Sequence, residues 1–162
     1  MPTHSLIKVS ALLLVAAAAS TSHAQIKPSP SPPPASTVTM PGADASNTFK
    51  EIAAQTAGEK WLVLIDRGEY AKAWDECAQL FRERVTRQQW TDTLPTTREP
   101  FGAAKARKVE LAAYRTALPG APDGQYVTVR YRTNFEKKEN AEELITLSFE
   151  DGAWRPTGYF IR

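Results

Sequence analysis

The spacing of apolar residues changes once along this chain, and the change falls at Gly102. Before it, apolar side chains recur every three or four residues, the repeat of a helix with one buried face; after it they alternate with polar ones, the repeat of a strand. Phe49, Ile52, Ala53, Thr56, Lys60, Leu64 and Ile65, with Trp61 and Leu62 extending the same face, predict a first helix, which Gly68 stops. Tyr70, Ala73, Trp74, Cys77, Leu80 and Phe81 predict a second, with Lys72, Asp75, Glu76 and Gln79 toward water. Thr86 with Gln89 three residues on forms a capping box that opens a third helix carrying Trp90 and Leu94. Pro95 removes a backbone donor and crowds the preceding turn, so a kink or break is expected there, ahead of Glu99-Pro100-Phe101-Gly102.

In the second half, the segment between Lys105 and Ala117 is expected to be a strand, with Val109, Leu111 and Ala113 on one face and Lys108, Glu110, Ala112 and Tyr114 on the other. Leu118 to Gly124 combines two prolines with two glycines and makes a turn. Val127, Val129, Tyr131, Thr133 and Phe135 then alternate with Thr128, Arg130, Arg132 and Asn134, the plainest strand pattern in the chain. A charged tip from Glu136 to Glu143 leads to a strand over Leu144–Phe149, and Glu150-Asp151-Gly152 turns into another over Trp154–Ile161. Helices followed by closely connected strands imply an α+β domain in which N-terminal helices pack on one face of an antiparallel four-stranded meander.

Residues 1–24 have the three parts of a secretory signal: a start carrying Lys8, an apolar run from Val9 to Ala19, and the small residues Ser22 and Ala24 around His23. The apolar run is well short of the ~20 residues that span a bilayer. Cleavage before Gln25 is expected, giving a mature chain of 138 residues in the periplasm or outside the cell, without membrane insertion. Residues 25–46 are rich in Pro, Ser, Ala and Thr and are expected to form an extended spacer, a tether rather than a recognition motif. A single folded domain is then expected over 47–162, a length suited to one core.

The run Trp61-Leu62-x-Leu64-Ile65-Asp66-Arg67-Gly68-Glu69-Tyr70-x-x-Ala73-Trp74, followed by Trp90, Arg98-x-Pro100-x-Gly102, Leu118-Pro119-Gly120-Ala121-Pro122-Asp123-Gly124-x-Tyr126, Glu142-x-Leu144-Ile145-Thr146 and Trp154-Arg155-x-x-Gly158-Tyr159-Phe160-Ile161, resembles the exported bacterial domain-of-unknown-function family 4019. The order of elements is also similar to the cystatin-like or nuclear-transport-factor-2-like cone. That resemblance implies a curved sheet wrapping the helices, and it carries no catalytic residues with it.

The two histidines, His4 and His23, both lie in the expected signal. Their removal leaves no imidazole to act as general base, as partner of a nucleophilic Ser or Cys, or as metal ligand. Neither a metal nor a cofactor is expected. Twenty Lys+Arg against 18 Asp+Glu distinguish no polyanion surface, so nucleic acid is not an expected partner. Cys77, the only cysteine, sits on the apolar stripe between Trp74 and Phe81 and reads as a packed thiol. Trp61, Trp74 and Trp90 lie on helix stripes and read as a joint core. Asp66 and Glu69 flank Gly68, where pairing with Arg67 or Lys72, or simple exposure, is the ordinary outcome.

One candidate binding surface remains. Arg130 and Arg132 share a strand face with Thr128 and Asn134, and Thr146, Ser148 or Arg155 on neighbouring strands could lie alongside. Arg130, Arg132 and Arg155 would then fork hydrogen bonds to a carboxylate or phosphate. The same residues could instead form a solvated face balanced by Glu110, Glu142 and Glu150, the commoner use of a sheet's polar side. The function that fits is a non-enzymatic exported module binding a small molecule or an envelope protein. The alternatives are a pocket enzyme pairing an Asp or Glu with Tyr114, Tyr131 or Tyr159, and a homodimer formed through the open sheet face.

Overall fold

The computed structural model describes residues 41–162, with side chains from Ala45 onward; the expected signal peptide and most of the spacer lie outside the described residues. Four helices precede a four-stranded antiparallel sheet of order β1-β2-β3-β4. The helices are α1 (Pro41–Asp66), α2 (Tyr70–Asp75), α3 (Gln79–Arg84) and α4 (Arg87–Arg98), and the strands are β1 (Ala104–Arg115), β2 (Tyr126–Phe135), β3 (Ala141–Glu150) and β4 (Ala153–Ile161). The expected α+β order, with helices on one face of an open meander, is what the chain adopts. The change of period at Gly102 has a steric basis: its φ is +72°, and a Cβ there would stand 3.1 Å from Glu136 Cβ.

α1 covers Pro41–Asp66 and so includes residues ahead of Asn47, where folding was expected to begin. Its buried stripe is Ala54, Gly58, Trp61, Leu62 and Ile65. Phe49 and Ile52, expected on that face, are 73% and 56% exposed. The early turns of α1 reach the sheet through polar contacts instead, where Glu51 accepts the Tyr114 N–H at 2.8 Å and Lys50 donates to Tyr114 Oη at 3.2 Å. This covers part of the free edge of β1.

The second expected helix is divided. Its first part ends at Asp75 and its second starts at Gln79, because Ala78 takes an extended conformation and gives its N–H to Pro156 O of β4 at 2.8 Å. The capping box at Thr86 and Gln89 forms as expected. Pro95 does not break α4, which continues to Arg98, with Glu99 N donating to Pro95 O at 2.9 Å. Trp90, Leu94 and Arg98, spaced by four, are buried along it, so tertiary packing holds the helix through the missing backbone bond.

β2 alternates as expected. In β1, a register shift between Val109 and Leu111 leaves Glu110 as an extra residue and reverses the faces beyond it. Val109, Ala112 and Tyr114 therefore pack against the core, while Leu111 is half exposed on the opposite face. β3 starts at Ala141, so Glu143 belongs to the strand and not to a charged tip. Pro156, on the edge strand β4, lies opposite Leu147 beside a further register shift, between Thr146 and Leu147. The core joins Trp61, Leu62, Ile65 and Trp90 to Val127, Val129, Tyr131, Ile145 and Leu147, with a smaller cluster of Phe101, Phe135, Ala141 and Ile161 beside it.

Candidate functional site

Two groups of arginines and carboxylates lie on opposite faces of the sheet. The inner group stands between the helices and β1, β3 and β4. Leu94 and Arg98 are one helical turn apart, so the stripe that buries Trp90 and Leu94 carries the Arg98 guanidinium inward. Asp66, at the end of α1, occupies the negative end of the helix dipole, an unfavourable place for a carboxylate unless cations meet it. Arg98 Nη2 meets it at 2.8 Å and Arg107 Nη2 at 2.7 Å, with Arg107 Nη1 bonding its other oxygen.

Glu143 is fully buried, and its carboxylate is saturated. Oε1 accepts from Tyr159 Oη at 2.7 Å, Arg98 Nη1 at 3.1 Å and Arg107 Nη2 at 3.3 Å. Oε2 accepts from Arg107 Nε and from Thr133 Oγ1, the latter at 2.7 Å. Tyr159 Oη also accepts from Arg98 Nη1 at 2.6 Å. Two cations and two anions cancel, which is the condition for keeping charge inside a fold.

Burial alone would raise the Glu143 carboxyl, but the hydrogen bonds and charge of Arg107, with those of Tyr159 and Thr133, outweigh it and hold the group below the usual carboxylate range. Burial and the Glu143 charge push the Tyr159 phenol well above its ordinary value. Burial lowers Arg107, while Asp66 and Glu143 more than reverse that. This geometry does bring a carboxylate to one of the tyrosines named from the sequence. The carboxylate nevertheless has its lone pairs occupied and stays ionised, and the phenol holds its proton, so the pair is poorly placed to exchange protons with a substrate.

Glu143 and Arg107 were missed in the sequence, and each left a signal. Counting back by twos from Ile145 puts Glu143 on the core face, and an acidic residue there requires partners. Arg107 is two residues before Val109, ahead of the bulge, and so shares its inward side.

On the outer face, Arg130 pairs across with Leu111 and Leu144, and Thr128 with Ala113 and Thr146. The small neighbours of Thr128 lower the sheet surface there. A depression of about 260 Å³ results, lined by Leu111, Ala113, Arg115, Leu118, Thr128, Arg130 and Leu144. Of the three arginines expected to converge, Arg130 alone lines it. Arg132 forks onto Glu110 at 3.0 and 3.1 Å and donates to Asn140 O at 3.1 Å. Arg155 is on β4, opposite Ser148, away from Arg130, and its side chain has no hydrogen-bond partner among the described residues. Arg115, not named from the sequence, takes part instead, with its own-strand neighbour Tyr114 O as acceptor at 2.7 Å.

Arg130 is only loosely held. Its Nε lies 3.6 Å from the Glu110 carboxylate, too far for a hydrogen bond, and has no hydrogen-bond partner among the described residues, although the atom is buried. The wider face is basic: Lys108, Arg115, Arg130, Arg132, Arg155 and Arg162 stand against Glu110, Glu142 and Glu150. The described chain as a whole is balanced, since Lys8 and Lys27 fall outside it and leave 18 Lys+Arg against 18 Asp+Glu.

The other residues singled out from the sequence have structural surroundings. Cys77 is buried and donates to Ala73 O, and burial pushes its thiol up to about 12, so it is a packed thiol. The rings of Trp61 and Trp90 lie 6.0 Å apart, tilted by 39°, and Trp61 meets Tyr159 edge-on at 5.6 Å. Tyr131 is buried with its hydroxyl unpaired. Among the described residues, no helix is long and apolar enough to cross a membrane.

The family model described as a protein of unknown function, DUF4019, matches residues 57–159, which include both arginine clusters and the outer depression. No curated protein matches the chain.

Proposed function

The chain belongs to the DUF4019 family of proteins of unknown function, and from that premise we propose that it is an exported, non-enzymatic binding module whose working surface is the outer face of the sheet. The observation that carries this reading is the contrast in commitment between the two clusters. The inner ionisable groups are consumed by one another, whereas Arg115 and Arg130 flank a depression where, among the described residues, no carboxylate is hydrogen-bonded to either. A basic surface on a domain of balanced charge draws anionic or polar partners, a small molecule or an envelope protein.

Export rests on the signal-like residues 1–24, with the proline-rich stretch after them as a tether. Self-association through the outer face is disfavoured by its surplus positive charge, which a twofold interface would bring against itself. An enzyme reading based on Glu143 and Tyr159 would require a carboxylate with a lone pair free.

The test is chemical-shift mapping of isotopically labelled exported protein against a panel of small acids, amines and neutral compounds. Shifts confined to residues 111–118, 128–130 and 144 are expected. Shifts centred on Asp66, Glu143 and Tyr159 would overturn the choice of surface, and a silent panel would remove the small-molecule form of the reading. N-terminal sequencing should begin at Gln25; exported protein still beginning at Met1 would contradict cleavage.

A further inference from the structure

We infer that the outer depression is a site for a small monocarboxylate with a short apolar body, its carboxylate held by Arg130 and Arg115 and its body by Leu111, Leu118 and Leu144. This rests on the outer face being the binding surface and adds the chemistry of the ligand.

The lining divides into two kinds. Leu111, Ala113, Leu118 and Leu144 are aliphatic, whereas Arg115, Arg130 and Thr128 carry polar groups. A pocket of this composition rewards a ligand with one charged end and one apolar end, since a bare inorganic anion would leave the leucines wet and a neutral apolar molecule would make no charge-assisted bond to either guanidinium. The depression, of about 260 Å³ and open to solvent, has room for a short chain, and one of about six carbons ending in a carboxylate is a fitting probe.

The electrostatics point the same way. The nearest internal anion to Arg130 is Glu110, but Arg132 grips that carboxylate with two hydrogen bonds and leaves Arg130 at 3.6 Å. The unpaired Nε of Arg130 marks a guanidinium that the fold does not satisfy, although 43% of its side chain is open to solvent. A planar carboxylate is the acceptor that a guanidinium fork fits best. Thr128 Oγ1 has only a long contact of 3.4 Å to Thr146 Oγ1, which leaves a hydroxyl able to donate to the same carboxylate.

Glu110 therefore acts as a weak internal competitor, and this gives a test with opposite signs. Isothermal titration of the full exported chain with hexanoate, hexanol and inorganic phosphate should show hexanoate binding at one site and the other two at least about tenfold more weakly. Arg130→Gln should weaken hexanoate about tenfold or more, and Arg115→Gln should also weaken it. Glu110→Gln should tighten it, by removing the competing anion, while Arg155→Gln, at a distance, should change it by less than about twofold. Hexanol binding as tightly as hexanoate would overturn the carboxylate assignment while leaving the surface standing, and phosphate binding as tightly would overturn the apolar body. Hexanoate affinity indifferent to Arg130→Gln and Arg115→Gln would overturn the site. Silence toward all three probes, with other compounds in the mapping panel still acting at 111–130, would overturn the inference alone; silence of the whole panel would take the small-molecule reading with it.

Discussion

The same sheet carries arginine and glutamate on both faces, and the two clusters obey different rules. Inside, Arg98, Arg107, Asp66 and Glu143 balance in charge, and Glu143 accepts five hydrogen bonds. Outside, Arg130 and Arg132 share one carboxylate, Glu110, and one of them is left at 3.6 Å. The difference follows from water. A buried charge without a partner costs several kcal/mol, so neutrality and saturation are conditions of folding there. An exposed one is solvated at little cost, so the outer face can keep a surplus cation for something outside the chain.

The strongest way to break this comparison is to unbalance the inner side. Glu143→Ala leaves Arg98 and Arg107 sharing Asp66 alone and should cost about 3–5 kcal/mol, read from urea unfolding; a loss under 1 kcal/mol would mean the cluster is not buried as described. Removing a single donor should cost less. Thr133→Val deletes the 2.7 Å bond to Glu143 Oε2 and should destabilise by about 1–2 kcal/mol, with the same unfolding slope.

Acid sharpens the contrast. The folded-state pKa of Glu143 lies below its ordinary 4.5, so its contribution is complete above about that pH and is lost as pH falls through the lowered value. The stability gap between wild type and Glu143→Gln should therefore be widest near neutrality and close on acidification below 4.5; a gap constant with pH would contradict an ionised Glu143. The smallest effect belongs to the outer face, where Glu110→Gln should change stability by no more than about 1 kcal/mol in either direction, measured by thermal unfolding. A larger loss would make the outer cluster structural too, and would erase the distinction.

The helical and strand halves were legible because both depend on local periodicity. The capping box at Thr86 and Gln89 reads directly, since it joins residues three apart. The alternation in β2 reads equally well, because that strand is central and its two faces meet oil and water. What escaped was set by contacts distant in sequence. No glycine or proline marks the break at Ala78; a bond to Pro156 O makes it. Pro95 signals a break that α4 does not show, because the buried Trp90, Leu94 and Arg98 stripe holds the helix together. Leu111 alternates correctly with Val109 by spacing, yet the extra residue Glu110 puts it on the other side of the sheet. The candidate site suffered from the same cause. Arg130 was identified from its strand face, whereas Arg115, the last residue of β1, is turned to the outer face by the bulge at Glu110, and Arg132 and Arg155 depart because of cross-strand pairing that one strand's pattern cannot give.

Sequence by itself determined the class of fold, the position of the helix-to-strand change and the scarcity of imidazole, since each is a property of neighbouring residues or of composition. Tertiary structure decided which charges are spent and which are left over. Glu143 and Glu110 are both glutamates on strands of one sheet, and only the packing of α1 and α4 over one face makes the first an occupied core ion and the second a half-shared surface partner. The physical reason is that the cost of an ion depends on the water around it, and in a folded chain that water is excluded by residues far away in sequence.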